Sequence, residues 1–223
     1  MPVLSEGVVM QDLTTYTESD ALGRLSETAA RVTWTNLQVT DDQIYLYKDF
    51  GVGYFGTNFT VDFTFDQTAS TQNASYVYFM GFANALNDWA VLITGTDLFG
   101  LEVIHQNIPN RVQLWIRGRA NNGSFSDDGS IGYTITDGTV YYMRLVRDNS
   151  VGTYGTVYLY IYSDAAHTTL LSTLTATLPD TMASFRYLLP VMSYDGSSST
   201  DTCSGYVENI NFPSLVNQIF PMI

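Results

Sequence analysis

The sequence is poor in positive charge and has no long apolar run. Lys48 is the only lysine, and the nine lysines and arginines face 22 aspartates and glutamates, so the 223 residues carry a net charge of −13. Phosphate binding depends on clustered lysine and arginine, and we therefore expect no nucleic-acid partner. No stretch approaches the roughly 20 apolar residues of a membrane-spanning helix, so no membrane insertion is expected.

Cysteine and histidine are also scarce. Cys203 is the only cysteine, and His105 and His167 are the only histidines. A single cysteine forms no intrachain disulfide and no thiolate metal cluster. The N-terminal stretch lacks a basic start and a continuous apolar core, so a secretory signal is not expected. We predict instead an N-terminal arm over residues 1–20.

What the chain has in abundance is typical of β structure. It contains 16 Tyr and 12 Phe, and only 14% of its residues are charged, against about a quarter in an average soluble domain. Strand-like runs recur from about residue 32 onwards, separated by clusters of Asp, Asn, Gly and Ser. The runs are RVTWTNL, QIYLYKDF, NFTVDFTF, YVYFMGFA, WAVLITG, GLEVIHQ, RVQLWIRG, TVYYMRLVRD, TVYLYIYSD, FRYLLPVMSY and CSGYVENINF. Helical turns are expected only at 22–32 and 180–184, and many short strands without helices predict an antiparallel sandwich or barrel.

One run, GTVYLYIYSD, alternates tyrosine with aliphatic residues. Successive side chains of a strand point to opposite faces, so Val157, Leu159 and Ile161 are predicted to face a dry core. Tyr158, Tyr160 and Tyr162, which alternate with them, then form a row on the outer face. Such a row is common in half-covered sheets through cross-strand pairing alone, and it also suits the stacking of sugar rings. Both interpretations stay open.

Seven phrases are notable when they are taken together. They are TYTESD (15–20), RVTWTNL (31–37), LYKDFGVGYFG (46–56), YYMRLVRD (141–148), YIYSDAAHTTLLSTL (160–174), FRYLLPVMSYDG (185–196) and SGYVENINF (204–212). This set resembles a group of concanavalin A-like, laminin-G-like domains in phage and environmental viral or microbial sequences. The resemblance implies an all-β fold, an antiparallel two-sheet jelly-roll sandwich of the concanavalin A-like lectin/glucanase type. We place the sandwich at 21–212 and an apolar docking tail at 213–223.

Patterns that carry catalysis are missing from the sequence. Retaining glycosidases of this superfold resemble one another in a Glu-x-Asp-x-x-Glu strand, and none of the five glutamates lies in such a strand. Asp62 and Asp66 share a strand face but lie about 13 Å apart, beyond the roughly 5–9.5 Å that glycosidase carboxylates use. No nucleophile elbow, P-loop or spaced zinc-ligand motif occurs. We therefore predict that the protein is not an enzyme.

Two patches are candidates for glycan binding. The strand RVQLWIRGR alternates polar and aromatic residues onto one face, where tryptophan can stack on a ring and arginine can fork hydrogen bonds to a carboxylated sugar. Pairing of these arginines with acidic neighbours is the alternative. The stretch NALNDWA is a predicted loop, and loops between sandwich strands carry binding residues. The candidates are Gln113, Trp115, Arg117 and Arg119, with Arg111 on the same face, and Asn87, Asp88 and Trp89 in the loop.

No cofactor is expected other than calcium, for which two acidic loops are candidate sites. SDDGS and DGSSSTD contain Asp127, Asp128, Asp195 and Asp201 beside hydroxyls and flexible backbone carbonyls, which are hard oxygen ligands. Aspartate that merely forms turns is the alternative.

These observations predict a non-catalytic, lectin-like surface module of a virus or phage particle that binds a glycan or cell-surface polysaccharide. The alternative is a purely structural capsid decoration or assembly protein without a ligand, and a glycoside hydrolase comes a distant third. The expected partners are a glycan, other virion proteins and further copies of the chain. The expected location is a virion surface or an extracellular site.

Overall fold

The structure is a computed structural model, and it describes most of the chain. The described residues are 9–56, 58–71, 75–105, 111–117, 125–127, 132–178, 184–196 and 200–212. For residues 75, 94, 95, 105, 112–117 and 125–127 the description covers the backbone only. The predicted docking tail, 213–223, lies outside the described residues.

Sixteen strands and one α-helix make up the regular structure within these ranges. The strands are β1 (Val9–Met10), β2 (Thr17–Ser19), β3 (Leu25–Glu27), β4 (Arg31–Gln38), β5 (Tyr45–Asp49), β6 (Phe59–Ser70), β7 (Ser75–Ala83), β8 (Leu98–His105), β9 (Arg111–Arg117), β10 (Phe125–Asp127), β11 (Tyr133–Thr134), β12 (Tyr141–Asp148), β13 (Thr156–Tyr162), β14 (Leu170–Thr177), β15 (Tyr187–Met192) and β16 (Thr202–Phe212). The helix α1 (Trp89–Gly95) lies between β7 and β8, and a single 3-10 turn covers Leu13–Thr15.

The strands form two antiparallel sheets. Sheet A has the order β14-β13-β12-β6-β16-β4-β3, with β1 paired to β16. Sheet B has the order β10-β9-β8-β7-β15-β5-β2, with β11 paired to β9. All the pairings between the described strands are antiparallel, for example β12 with β6 and β7 with β8. The predicted all-β, two-sheet jelly-roll sandwich is confirmed.

The core lies between the two sheets and is largely aromatic. Phe65 of β6 stacks on Phe79 of β7 with ring centroids 4.3 Å apart, and Phe59 meets Phe82 at 5.0 Å. Each pair joins a strand of sheet A to a strand of sheet B. Aromatic side chains bury large apolar areas, so these contacts fix how the layers face each other.

The alternation in β13 resolves as predicted. Val157, Leu159 and Ile161 are each 0% exposed and belong to the core. Tyr158, Tyr160 and Tyr162 alternate with them and are half-buried on the outer face of sheet A. The rings of Tyr158 and Tyr160 stack with centroids 6.2 Å apart.

The prediction of a strand at WAVLITG was wrong, because this stretch forms α1. Asp88 caps the helix: its side chain accepts a hydrogen bond from the Val91 backbone N–H at 3.0 Å. Such a cap satisfies a donor that the first helical turn leaves unpaired. Trp89 and Leu92 then pack against the outer face of sheet B, so tertiary contact and capping override the strand preference of Val, Ile and Thr.

Residues 9–20, the described part of the predicted N-terminal arm, contribute a strand to each sheet. β1 pairs with β16 in sheet A, and β2 pairs with β5 in sheet B. Leu13 and Tyr16 between them are buried in the core. Among the described residues, no helix is long and apolar enough to cross a membrane.

Candidate functional site

Tyrosines cover the outer face of sheet B, which we call the tyrosine face. Its half-buried members come from β5, β7, β15 and the segment after β15, and they are Tyr45, Tyr47, Tyr76, Tyr187 and Tyr194. They pack around a second apolar cluster, separate from the core, that contains Tyr78, Trp89 and Met192. The helix α1 therefore covers one part of this face and leaves the tyrosine rings partly accessible.

Strand register aligns the polar residues of the tyrosine face into rows. Tyr76 of β7 lies opposite Ile104 of β8, which lies opposite Arg111 of β9. Two residues further along β7, Tyr78 lies opposite Glu102 of β8. Directly opposed residues of an antiparallel pair share a face, so tyrosine, glutamate and arginine converge on one surface.

Tyr78 and Glu102 form the buried centre of this face. The Tyr78 hydroxyl donates a hydrogen bond to Glu102 Oε1 at 2.5 Å, and the two residues are 4% and 1% exposed. Bonds of this length are typical of a hydroxyl paired with a carboxyl group. The pair therefore holds a carboxyl group in the sheet surface directly below the tyrosine rings.

Tyr76 and Tyr194 lie at the accessible edge of this centre. Their rings stack with centroids 5.2 Å apart, and Tyr194 also contacts the Tyr78 ring at 5.6 Å. Burial raises the pKa of Tyr76, and the nearby carboxyl group of Glu102 and hydroxyl of Tyr194 raise it further. Tyr76 thus keeps its proton at neutral pH and is a hydrogen-bond donor.

The structure places the first group of predicted glycan residues at the start of α1. Asp88 and Trp89 are buried, and Trp89 stacks on Tyr78 with centroids 3.8 Å apart. Asn87 is half-buried and accepts a hydrogen bond from the Asp88 backbone N–H at 2.9 Å. Because Trp89 is 1% exposed, it supports the tyrosine face from within and offers no free ring to a sugar.

The second group of predicted glycan residues lies on β9 of the same sheet. The backbone of Gln113 lies opposite Glu102, that of Trp115 opposite Gly100, and that of Arg117 opposite Leu98. Their side chains and the whole of Arg119 lie outside the described part of the chain. The register brings the two predicted patches, which are far apart in sequence, to one face of sheet B.

The two predicted calcium residues whose side chains the structure describes, Asp195 and Asp201, have different neighbours. Asp201 accepts a hydrogen bond from the Thr71 hydroxyl at 3.0 Å. Asp195 instead lies in a cluster with Asp42 and Asp88. The side chain of Asp127 and all of Asp128 lie outside the described residues, so calcium at the SDDGS loop stays a prediction.

The outer face of sheet A offers a different arrangement. Arg144 donates two hydrogen bonds to Asp62, at 2.6 and 2.7 Å, and His167 stacks on Tyr162 with centroids 4.6 Å apart. Burial lowers the pKa of His167. Arg144 is therefore bound to Asp62 on both arms of its guanidinium fork.

Sequence reasoning missed several members of these sites, among them Tyr76, Tyr78, Glu102, Tyr194 and Asp42. Tyr78 and Glu102 sit in runs recognised as strands, but their pairing depends on which strands are neighbours. The one local signal was the alternation of side chains in YVYFMGFA and GLEVIHQ, which places Tyr78 and Glu102 on the strand face that points away from the core.

Comparison with known proteins gives similarity in structure alone. No protein-family model matches the sequence, and no curated protein matches it significantly. The alginate lyase Aly36B overlaps 93% of this chain and 97% of its own length, with 14% identity and a TM-score of 0.54. Alginate lyase vAL-1 from Chlorella virus overlaps 93% of this chain and 91% of its own, with 8% identity and a TM-score of 0.52. The marine PL-14 alginate lyase from Aplysia kurodai overlaps 92% and 89%, with 10% identity and a TM-score of 0.50. At these identities, the likeness shows a shared β-sandwich fold.

These overlaps correct the predicted resemblance. The neighbours in structure are polysaccharide lyases and not concanavalin A-like lectin domains. The predictions of a non-catalytic lectin-like virion module, of a capsid decoration protein and of a protein without enzymatic activity were therefore wrong. The quoted phrases consist of strand and turn residues, which specify a sandwich but not the site built on it. The predictions of virion partners, self-association and location stay predictions.

Proposed function

We propose that the protein is a polysaccharide lyase that cleaves an acidic, uronate-containing glycan on the tyrosine face. The observation that carries the proposal is the row formed by Tyr76, Ile104 and Arg111 across three strands, with Tyr194 stacked at its end. The overlap with alginate lyases over nearly the whole chain supports the same class of chemistry. Partly accessible aromatic rings suit the apolar faces of sugar rings.

Eliminative cleavage of a uronate makes defined demands on a site. A cation or hydrogen-bond donor neutralises the negative charge of the carboxylate, which makes the proton on C5 easier to remove. A base then removes that proton, and an acid protonates the departing O4. The C5–H electron pair becomes the C4–C5 double bond as the C4–O4 bond breaks, so no water is consumed.

Arg111 is the residue of the tyrosine face suited to the carboxylate. A guanidinium forks two hydrogen bonds to a carboxylate and keeps its charge at any working pH. Two steps between neighbouring strands, each of about 4.8 Å, separate the backbone of Arg111 from that of Tyr76. Long side chains at both ends of that gap reach the same sugar unit from opposite sides.

Tyr76 is the residue suited to proton donation. A phenol carries its proton at neutral pH, so the Tyr76 hydroxyl can supply the proton that O4 gains. Tyr194 stacks on the Tyr76 ring and is the group we assign as the base: once it has given up its own proton, its phenol oxygen accepts the proton that C5 loses, while Tyr76 gives its proton to O4.

The test is a panel of polysaccharides incubated with the purified chain: alginate, a polyglucuronate and a neutral β-1,4-glucan. We expect ultraviolet absorbance from the new double bond with at least one of the two uronates and none with the glucan. Tyr76→Phe is expected to lower the rate by about 10²–10⁴-fold, the usual contribution of general acid–base catalysis. Arg111→Ala is expected to raise KM and to lower kcat.

Tyr160→Phe is the matched control, because it removes a half-buried tyrosine hydroxyl from the outer face of the other sheet. It should leave the rate unchanged. If neither uronate is cleaved, the assignment of activity to the tyrosine face is wrong. It is also wrong if Tyr160→Phe and Tyr76→Phe lower the rate by the same factor. A rise in reducing ends without absorbance would identify hydrolysis instead.

A further inference from the structure

Three aspartates from distant parts of the sequence meet at one end of the tyrosine face. Asp42, Asp88 and Asp195 each present a carboxylate oxygen, and these three oxygens all lie within 4.8 Å of one another. Asp42 precedes β5, Asp88 precedes α1, and Asp195 follows β15. We call this group the aspartate cluster.

Asp88 is the buried member of the aspartate cluster, and its second oxygen has no protein partner. The residue is 1% exposed. Oδ1 accepts the capping hydrogen bond from Val91, whereas Oδ2 is buried and accepts no hydrogen bond from any described residue. A buried carboxylate oxygen without a partner is costly, so a ligand from outside the chain is the simplest way to satisfy it.

Backbone hydrogen bonds fix the three segments that carry the cluster. The Ser193 N–H donates to the Ile44 carbonyl at 2.7 Å, and the Ser193 hydroxyl accepts from the Ile44 N–H at 3.1 Å. The N–H groups of Trp89 and Ala90 donate to the carbonyls of Ser193 and Tyr194, both at 3.0 Å. The carboxylates are thus held together by the fold itself, against their mutual repulsion.

The electrostatics of the cluster agree with this geometry. Burial raises the pKa of Asp88, and the carboxylates of Asp195 and Asp42 raise it further. Asp195 has a left-handed backbone, with φ of +45°, a conformation that Asp and Asn tolerate better than most residues.

We propose that the aspartate cluster binds a divalent cation of the calcium type. Oxygens that share one Ca²⁺ at about 2.4 Å lie at most about 4.8 Å apart, and all three carboxylates meet that condition. A set of carboxylates alone favours hard cations such as Ca²⁺ over zinc or copper. Water and backbone carbonyls complete the six to eight oxygens that Ca²⁺ takes. The bound ion joins the segment before β5, the start of α1 and the end of β15.

The test is calcium titration of chelator-treated protein, followed by calorimetry and by thermal unfolding. We expect one saturable Ca²⁺ site per chain, a rise in Tm with calcium concentration, and a smaller effect of Mg²⁺ at equal concentration. Asp88→Asn keeps an oxygen for the helix cap but removes the charge, and Asp195→Asn suits the left-handed backbone. Each is expected to weaken calcium binding at least tenfold while the far-ultraviolet spectrum stays that of the folded protein.

Asp12→Asn is the matched control, since Asp12 also caps a helical turn with its side chain but lies outside the aspartate cluster. It should bind calcium as the wild type does. Terbium adds a second readout: Trp89 neighbours Asp88, so excitation of tryptophan should sensitise Tb³⁺ emission in the wild type and much less in Trp89→Phe. Absence of a calcium-dependent shift at millimolar Ca²⁺, or undiminished binding in both Asp88→Asn and Asp195→Asn, would overturn the proposal. Neither measurement involves a polysaccharide, so this result is independent of the proposed lyase activity.

Discussion

Tyr78 and Trp89 stack face to face between β7 and α1, with ring centroids 3.8 Å apart and planes inclined by 15°. Trp89 is 1% exposed and anchors the first turn of the helix to the outer face of sheet B. The seven residues of α1 are too few to be stable alone. Attachment of α1 therefore depends on this contact and on the Asp88 cap.

The first prediction follows from that dependence. Trp89→Ala removes the largest buried side chain of α1 and is expected to lower the free energy of unfolding by about 3–5 kcal/mol. Val91→Ala lies on the same helix, at a side chain that is 47% exposed, and should change it by less than about 0.5 kcal/mol. Urea unfolding of both variants measures the difference. Similar values for the two would show that the Trp89 ring does not hold the helix.

The second prediction concerns the hydroxyl of Tyr78. Tyr78→Phe deletes the donor to Glu102, a residue that is 1% exposed, so the carboxyl group loses a hydrogen bond without gaining water. We expect a loss of about 1–3 kcal/mol in the free energy of unfolding. Tyr45→Phe removes a hydroxyl from a half-buried ring of the same face and should cost less. Equal costs in chemical denaturation would contradict a special role for the buried pair.

The third prediction tests a close approach of strands in sheet A. A Cβ atom on Gly205 of β16 would lie 2.5 Å from the Asp66 carbonyl oxygen and 2.6 Å from Cζ2 of Trp34. Backbone and a buried indole cannot move aside cheaply, so Gly205→Ala is expected to destabilise the protein by about 1–3 kcal/mol or more. Gly56→Ala is the control, because its Cβ would meet nothing nearer than 3.7 Å. Thermal unfolding of the two variants should rank them in that order.

The fourth prediction concerns pH. Partial burial raises the pKa of Glu18 on β2 to about 6, and the neighbouring carboxyl group of Glu27 on β3 contributes by hydrogen bond and by charge. A folded pKa above the unfolded value, about 4.3, means that the native state binds the proton more tightly. This contribution to stability is therefore gained as pH falls through about 6 and is absent at higher pH.

Glu18→Gln is expected to remove that gain. The difference between variant and wild type in urea midpoint should change between neutral pH and mildly acidic pH. Thr17→Ala lies on the same strand and keeps both carboxyl groups, so it should follow the wild type. If the urea midpoints of Glu18→Gln and wild type differed by the same amount at every pH, the proposed hydrogen bond between the carboxyl groups of Glu18 and Glu27 would be contradicted.

The alternation of apolar and polar side chains was sufficient to predict the sandwich, because it can be read within each strand without knowing which strands are neighbours. Val157 and Ile161 face the core and the neighbouring tyrosines do not, as a period of two residues requires. The helix α1 escaped prediction because WAVLITG is rich in strand-forming residues and its helical state depends on Asp88 and on contact with sheet B. Local patterns do not contain that contact.

The candidate sites were predicted only in fragments, for the same physical reason. Trp89 and the β9 residues were recognised as candidates, but their common face follows from the order of β9, β8 and β7 in sheet B. Asp195 was predicted as a candidate calcium ligand, yet the carboxylates that lie near it, Asp42 and Asp88, come from other loops. The predicted partner Asp201 lies nearer in sequence but binds Thr71. Separation in sequence therefore does not predict which side chains meet, because consecutive strands often belong to different sheets.

The position of β16 has a consequence for how the protein is made. Among the described strands it comes last in sequence, yet it lies between β6 and β4 in the middle of sheet A. Until the ribosome has added residues 202–212, β6 and β4 have no neighbour on their facing sides. Closure of sheet A therefore waits for the synthesis of β16, and long-range pairing of this kind is slow. Nascent chains that stall before this strand are expected to expose the phenylalanine-rich interior and to aggregate.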